Sequence, residues 1–94
     1  MMRFVSRLFS RKRPMISEAR PADAAAIATL HGVSFRRGWG EDEILGLLLE
    51  RNVVTQRMTV GGKLIAFIMS RLAGGEAEIL SAAVAPTWRG RGLS

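Results

Sequence analysis

Apolar and polar positions change period along the 94-residue chain, and each change marks an element. Met15 to Arg20 has β character and predicts a short first strand, stopped by Pro21, which offers no N–H to a ladder. From Asp23 the period becomes helical. Ile27 and Leu30, with Ser34 or Phe35 a turn further on, share one side of a helix that runs through Ala24 to His31, and Asp23 is placed to cap it. Phe35 to Gly40 contains two glycines and predicts a loop. A second helix starts near Glu41, where Glu41, Asp42 and Glu43 suit the positive end of the helix dipole. Its inward stripe is Ile44, Leu47 and Leu48, and it ends near Glu50 to Asn52. The period then becomes that of strands. Val53 to Val60, Lys63 to Leu72 and Glu76 to Ala85 are divided by Gly61-Gly62 and Gly74-Gly75, both strong hairpin signals. The pattern predicts an α+β fold: a strand, two helices, then a three-strand antiparallel meander.

Charge separates the first residues from this body. The chain has 14 basic and 8 acidic side chains, a net charge of +6. Arg3, Arg7, Arg11, Lys12 and Arg13 come before any acid, so the remaining nine basic residues nearly balance the eight acids. The basicity belongs to a tail, and a general nucleic-acid surface is not implied. On a helical projection of residues 1–14, Phe4, Val5, Leu8 and Phe9 lie opposite Arg3, Arg7 and Arg11. Such a segment can rest weakly on an anionic membrane surface or be a loose extension. The expected division is an appendage over 1–14 and a folded unit over 15–94. No run of apolar residues reaches membrane-spanning length, and Arg3 and Arg7 interrupt any secretory core, so a cytoplasmic location is expected. With no cysteine and one histidine, a structural zinc site is not expected.

The stretch from Ile79 to Ser94 carries the chemistry. Ile79 to Ala85 is apolar except for Ser81, and Ala82 and Ala83 are small enough to let another backbone or a ligand approach. Pro86 ends the strand. Gly90 and Gly92 then permit a turn that aims successive N–H groups at one point, with Arg89 and Arg91 beside them. That combination suits an anion, most simply a phosphate.

Val84-Ala85-Pro86-Thr87-Trp88-Arg89-Gly90-Arg91-Gly92-Leu93-Ser94 resembles the acetyl-coenzyme A signature of the GCN5-related N-acetyltransferase (GNAT) superfamily, V-x-P-x-x-(R/Q)-G-x-G-(I/L)-(G/A). Ser94 stands where Gly or Ala is usual. Within the superfamily the chain is most similar to the bacterial ribosomal-protein-alanine N-acetyltransferases. The resemblance covers the N-terminal half of such a domain, roughly Met15 to Ser94, and so implies a GNAT fold cut at its pyrophosphate loop. It places pantetheine contacts on the backbone of Ala82, Ala83 and Val84. It places the pyrophosphate on the N–H groups of Arg89, Gly90, Arg91, Gly92, Leu93 and Ser94, completed by a following helix.

The activity it implies is acetyl transfer from acetyl-coenzyme A, as cosubstrate, to an amine, with a ribosomal or other protein N-terminus as the acceptor. Trp39 lies in the loop that shapes the acceptor groove in the resembling enzymes; packing between the helices is the alternative role. His31, alone on a packing helix, reads as structural rather than as a general base. Glu76 and Glu78 read as the solvent-facing start of their strand. In the family, a Glu and a Tyr beyond the loop move the protons, and this sequence has no tyrosine. No catalytic residue is therefore assigned, and the isolated chain is expected to be inactive. The alternative function is a non-catalytic anion-binding or interaction module docking through its basic tail.

Overall fold

The computed structural model describes residues 13–90, so the basic segment up to Lys12 and the loop residues Arg91, Gly92, Leu93 and Ser94 lie outside the described residues. Strand β1 (Met15–Glu18) is followed by a 3-10 turn at Pro21–Asp23, helix α1 (Ala24–Ser34) and helix α2 (Glu41–Leu48). Strands β2 (Val53–Val60), β3 (Lys63–Ala73) and β4 (Glu76–Val84) follow, and a second 3-10 turn covers Pro86–Trp88. The strands form one antiparallel sheet in the order β1-β2-β3-β4. This is the α+β architecture the periodicity predicts. Both glycine pairs sit in two-residue turns with positive φ at each position, the type I′ geometry whose twist matches the strands it joins.

Pairing of Thr55 with Met69 and of Met69 with Ser81 puts these three in one row across the sheet, all buried. The next row on the same face is Ser17, Arg57, Phe67 and Ala83. Both helices pack on that face. Ile27, Ile44 and Met69 are fully buried between the layers, and Ala24, Leu30, Val53 and Phe67 complete the core. Burying each of the three largest contributes about 1.5–3 kcal/mol. The opposite face carries Ile16, Met58, Ala66 and Val84 in one row and Gln56, Ile68 and Ala82 in the next. Among the described residues it is largely open, with Ile16 67% and Ile68 36% exposed, although Ala66 is buried.

Several boundaries differ from the sequence expectation. Helix α1 runs past His31 to Ser34, because Ser34 Oγ donates to the Leu30 carbonyl at 2.8 Å and Phe35 N–H to that of His31 at 3.0 Å. Strand β1 ends at Glu18, although Ala19 N–H still reaches the Thr55 carbonyl at 2.8 Å. Asp23 does not cap α1. Its backbone is already helical, and its carboxylate instead accepts the Arg20 N–H at 2.7 Å and pairs with Arg57 at 2.6 Å. The turn at Pro21 brings Asp23 into the helical path early, so the capping contact is made one turn upstream, to Arg20. No described helix is long and apolar enough to cross a membrane.

Candidate functional site

Strand β4 is the outer strand of the described sheet, and its register decides which of its backbone groups are free. Ala85 N–H donates to the Ile65 carbonyl at 2.7 Å, which makes those two a hydrogen-bonded pair. Antiparallel pairs alternate, so Ala83 and Phe67, two residues on, also exchange both bonds. Ala82 and Val84 therefore turn their N–H and C=O groups away from β3, toward the open edge. Ala82 is exposed, and Ala83 and Val84 are half-buried. The three residues singled out in the sequence thus divide: two offer backbone to the edge, and the third is tied to its neighbour.

One edge group is occupied from within. Arg89 Nε donates to the Val84 carbonyl at 2.7 Å, and its Nη2 donates to Ser34 Oγ at 3.1 Å. The guanidinium folds back over the end of β4 and fastens it to the last turn of α1. Between them the chain reverses through the 3-10 turn, with Trp88 N–H on the Ala85 carbonyl at 2.8 Å. Gly90 follows with φ +78°, left-handed backbone that a side chain would strain. The rest of the glycine-bearing loop that the sequence singles out lies outside the described residues.

A second cluster lies at the C-terminal end of α1. His31 is 3% exposed, and its ring stacks on Trp39 with centroids 4.6 Å apart at 15°. Phe35 lies on it at 4.3 Å, and Phe67 stands 6.3 Å away. His31 Nδ1 accepts the Trp39 backbone N–H at 3.0 Å, which puts the neutral ring's proton on Nε2. Burial pushes the His31 pKa below its ordinary value, and the Glu43 carboxylate offsets part of that shift. Trp39 is half-buried and also borders an open cleft between α2 and the sheet, where Asp42, Glu43, Glu50 and Arg71 meet Leu47 and Leu80. Arg71 pairs with Glu50 there at 3.3 Å. Trp39 packs between the helices and also lines this cleft.

The sequence reading missed the two contacts that organise this region. Arg89 reaches a serine 55 residues earlier, and nothing in local spacing signals that pair. The His31–Trp39 contact spans eight residues, and its only signal was a lone histidine on a packing face beside a glycine-rich loop. Glu76 and Glu78 are exposed at the start of β4, as expected. No metal-binding cluster of His, Cys, Asp and Glu occurs among the described residues.

A strand, two helices on one face and an antiparallel meander ending in a glycine turn define the N-terminal portion of a GNAT fold, and solved structures of that class superimpose on the chain. The ribosomal-protein-S18-alanine N-acetyltransferase from Escherichia coli aligns with a TM-score of 0.79 and 22% identity, over 86% of this chain and 52% of that one. The ribosomal-protein-alanine N-acetyltransferase from Brucella melitensis aligns with a TM-score of 0.70 and 19% identity, over 86% and 63% respectively. Arabidopsis thaliana NAA60 in complex with acetyl-CoA aligns with a TM-score of 0.72 and 14% identity, over 86% and 61%. The chain therefore spans between about half and just under two thirds of the length of these proteins. No protein-family model matches the sequence, and no curated protein matches it. At these identities the likeness is one of fold.

Proposed function

We propose that this chain forms the acetyl-coenzyme A-binding portion of an N-acetyltransferase that acts on an amine, with a protein N-terminus as the favoured acceptor. The observation that carries the reading is the edge of β4: outward backbone groups at Ala82 and Val84, small side chains beside them, and a positive-φ turn at Gly90 where the strand ends. An amide-bearing arm such as pantetheine can pair with that edge as an added strand would. Ala82 N–H and C=O and Val84 N–H are the groups that hold it, and Ala83 acts through the packing of its small side chain. Acetyl-coenzyme A supplies the activated thioester.

The pyrophosphate is assigned to the backbone N–H groups from Gly90 through Arg91, Gly92, Leu93 and Ser94. Arg89 is assigned to holding the strand end in place, since two of its donors face Val84 and Ser34. Trp39 and the acidic cleft beside it are assigned to the acceptor, where carboxylates favour the approach of a cationic amine. No general acid or base is named. The sequence has no tyrosine, and His31 Nδ1 is already taken by the Trp39 N–H. Supported by its charge imbalance, the segment 1–14 is taken as an appendage to the unit over 15–94, and the 94 residues alone are taken to bind rather than turn over.

Calorimetric titration with acetyl-coenzyme A and, separately, with adenosine 3′,5′-bisphosphate tests this reading. Binding of the coenzyme and much weaker binding of the nucleotide fragment is the expected result. Equal binding of the two would leave only a charge-driven anion site and overturn the assignment of the β4 edge.

A further inference from the structure

The loop 35–40 is fastened to α1 at Gly38 and Trp39 and to the first turn of α2 at Gly40. A Cβ on Gly38 would stand 2.7 Å from Gly32 Cα, so loop and helix backbones touch there. Trp39 N–H goes to His31 Nδ1 at 3.0 Å, and Gly40 N–H to Glu43 Oε1 at 3.2 Å. Trp39 stacks on the His31 ring, and Phe35 lies against it tilted by 30°. Ordinary aromatic packing would require a ring at position 31 and no more. The hydrogen bond requires something further, because Nδ1 can accept the Trp39 N–H only while it carries no proton.

We propose that His31 is a positioning residue that works as a proton-operated clasp: its neutral ring holds the 35–40 loop against α1, and protonation of Nδ1 releases Trp39. A protonated Nδ1 would direct its own N–H at that of Trp39, removing a bond and opposing two donors. The charged surroundings set the direction. From α2, Glu43 alone presents a charge that favours the imidazolium, and its carboxylate is engaged by Gly40 N–H. Arg36 and Arg37 in the loop itself are exposed. Strand β3 presents Phe67, the acids of β4 lie at its far start, and Arg57 of β2 is paired with Asp23 at the other end of α1. Burial outweighs Glu43, so release falls on the acid side of the ordinary histidine value, 6.5. The clasp stands on this geometry alone; its effect on an acceptor rests on the function proposed above, in which Trp39 borders the acceptor cleft.

The test follows Trp39 emission from pH 8 to 5 in a Trp88→Phe background, where Trp39 is the only indole. The expected result is a one-proton transition below pH 6.5 to longer-wavelength emission, with far-ultraviolet circular dichroism unchanged across it. His31→Asn, whose amide oxygen can accept the same N–H, should keep the neutral-pH spectrum and lose the transition. A flat wild-type profile, a transition that survives in His31→Asn, or one that coincides with loss of helix signal would overturn the clasp. If His31→Asn does not fold, the imidazole 15N shifts of the wild-type protein decide. Nδ1 must read as an unprotonated acceptor at pH 8 and gain its proton at the emission midpoint; any other order refutes the proposal. Coenzyme titration at pH 8 tests the proposed function separately, and its failure would leave the clasp standing.

Discussion

Replacing Ala82 with proline should separate ligand binding from folding. Ala82 sits at a non-hydrogen-bonded position of β4, with its N–H aimed off the sheet, so proline there removes no ladder bond to β3. The residue before it, Ser81, is already extended, as a following proline prefers. What is lost is one outward donor. A net hydrogen bond is worth about 1 kcal/mol, so coenzyme A should bind about fivefold more weakly, with any clash of the ring adding to this. Ala83→Pro is the control in the opposite sense. Its N–H belongs to the pair with Phe67, so the ladder itself is broken and the fold should weaken. In a domain of this size each kcal/mol shifts the thermal midpoint by about 4–8 °C. Calorimetry and thermal melts on both variants decide. If Ala82→Pro melts far below wild type while Ala83→Pro does not, the inferred alternation is wrong. If Ala82→Pro binds like wild type, the edge is not the binding surface.

Other outcomes follow from single contacts. A double-mutant cycle of Arg89→Ala and Ser34→Ala should show coupling of about 0.5 kcal/mol in urea denaturation, small because Arg89 is exposed; zero coupling would mean that the Arg89–Ser34 contact does not fasten the end of β4 to α1. Gly38→Ala should destabilise by about 1–3 kcal/mol through backbone overlap with Gly32, whereas Gly46→Ala, in open space within α2, should stabilise by about 0.5–1 kcal/mol; equal effects would refute the close approach. His31 binds its proton less readily in the folded protein than in the unfolded one, so its contribution is complete above pH 6.5 and is lost as pH falls through the lower folded value. Thermal midpoints should therefore fall with acidification below pH 6.5 in wild type more steeply than in His31→Asn, and parallel slopes would contradict the assigned shift.

Elements set by local chemistry were legible in the sequence. Gly61-Gly62 and Gly74-Gly75 could hardly be anything but hairpin turns, and the strands they join follow from alternation. Ile27, Leu30 and Ile44 sit where helical spacing puts them, in the core. Asp23 was misread because a capping residue and a 3-10 entry look alike in sequence; only the turn at Pro21 shows which N–H it accepts. At the candidate site, the family resemblance pointed to Ala82, Ala83 and Val84 without separating them. That separation depends on register, which is fixed by pairing with β3 and not by the residues themselves. For Arg89 the resemblance pointed to the pyrophosphate loop, and local spacing showed nothing of where its side chain goes. Its folded-back guanidinium depends on Ser34, brought near by the packing of α1 on β4.

Amide hydrogen exchange resolved by residue reports directly on the outer edge of β4, the surface proposed to receive coenzyme A as an added strand. Without ligand, Ala83 and Ala85 should be protected by their bonds to β3, while Ala82 and Val84 exchange freely. With coenzyme A bound, Ala82 and Val84 should slow and Ala83 and Ala85 should change little. Slowing that ignores the alternation, or protection gained elsewhere while Ala82 and Val84 exchange as before, would contradict coenzyme A binding at this edge.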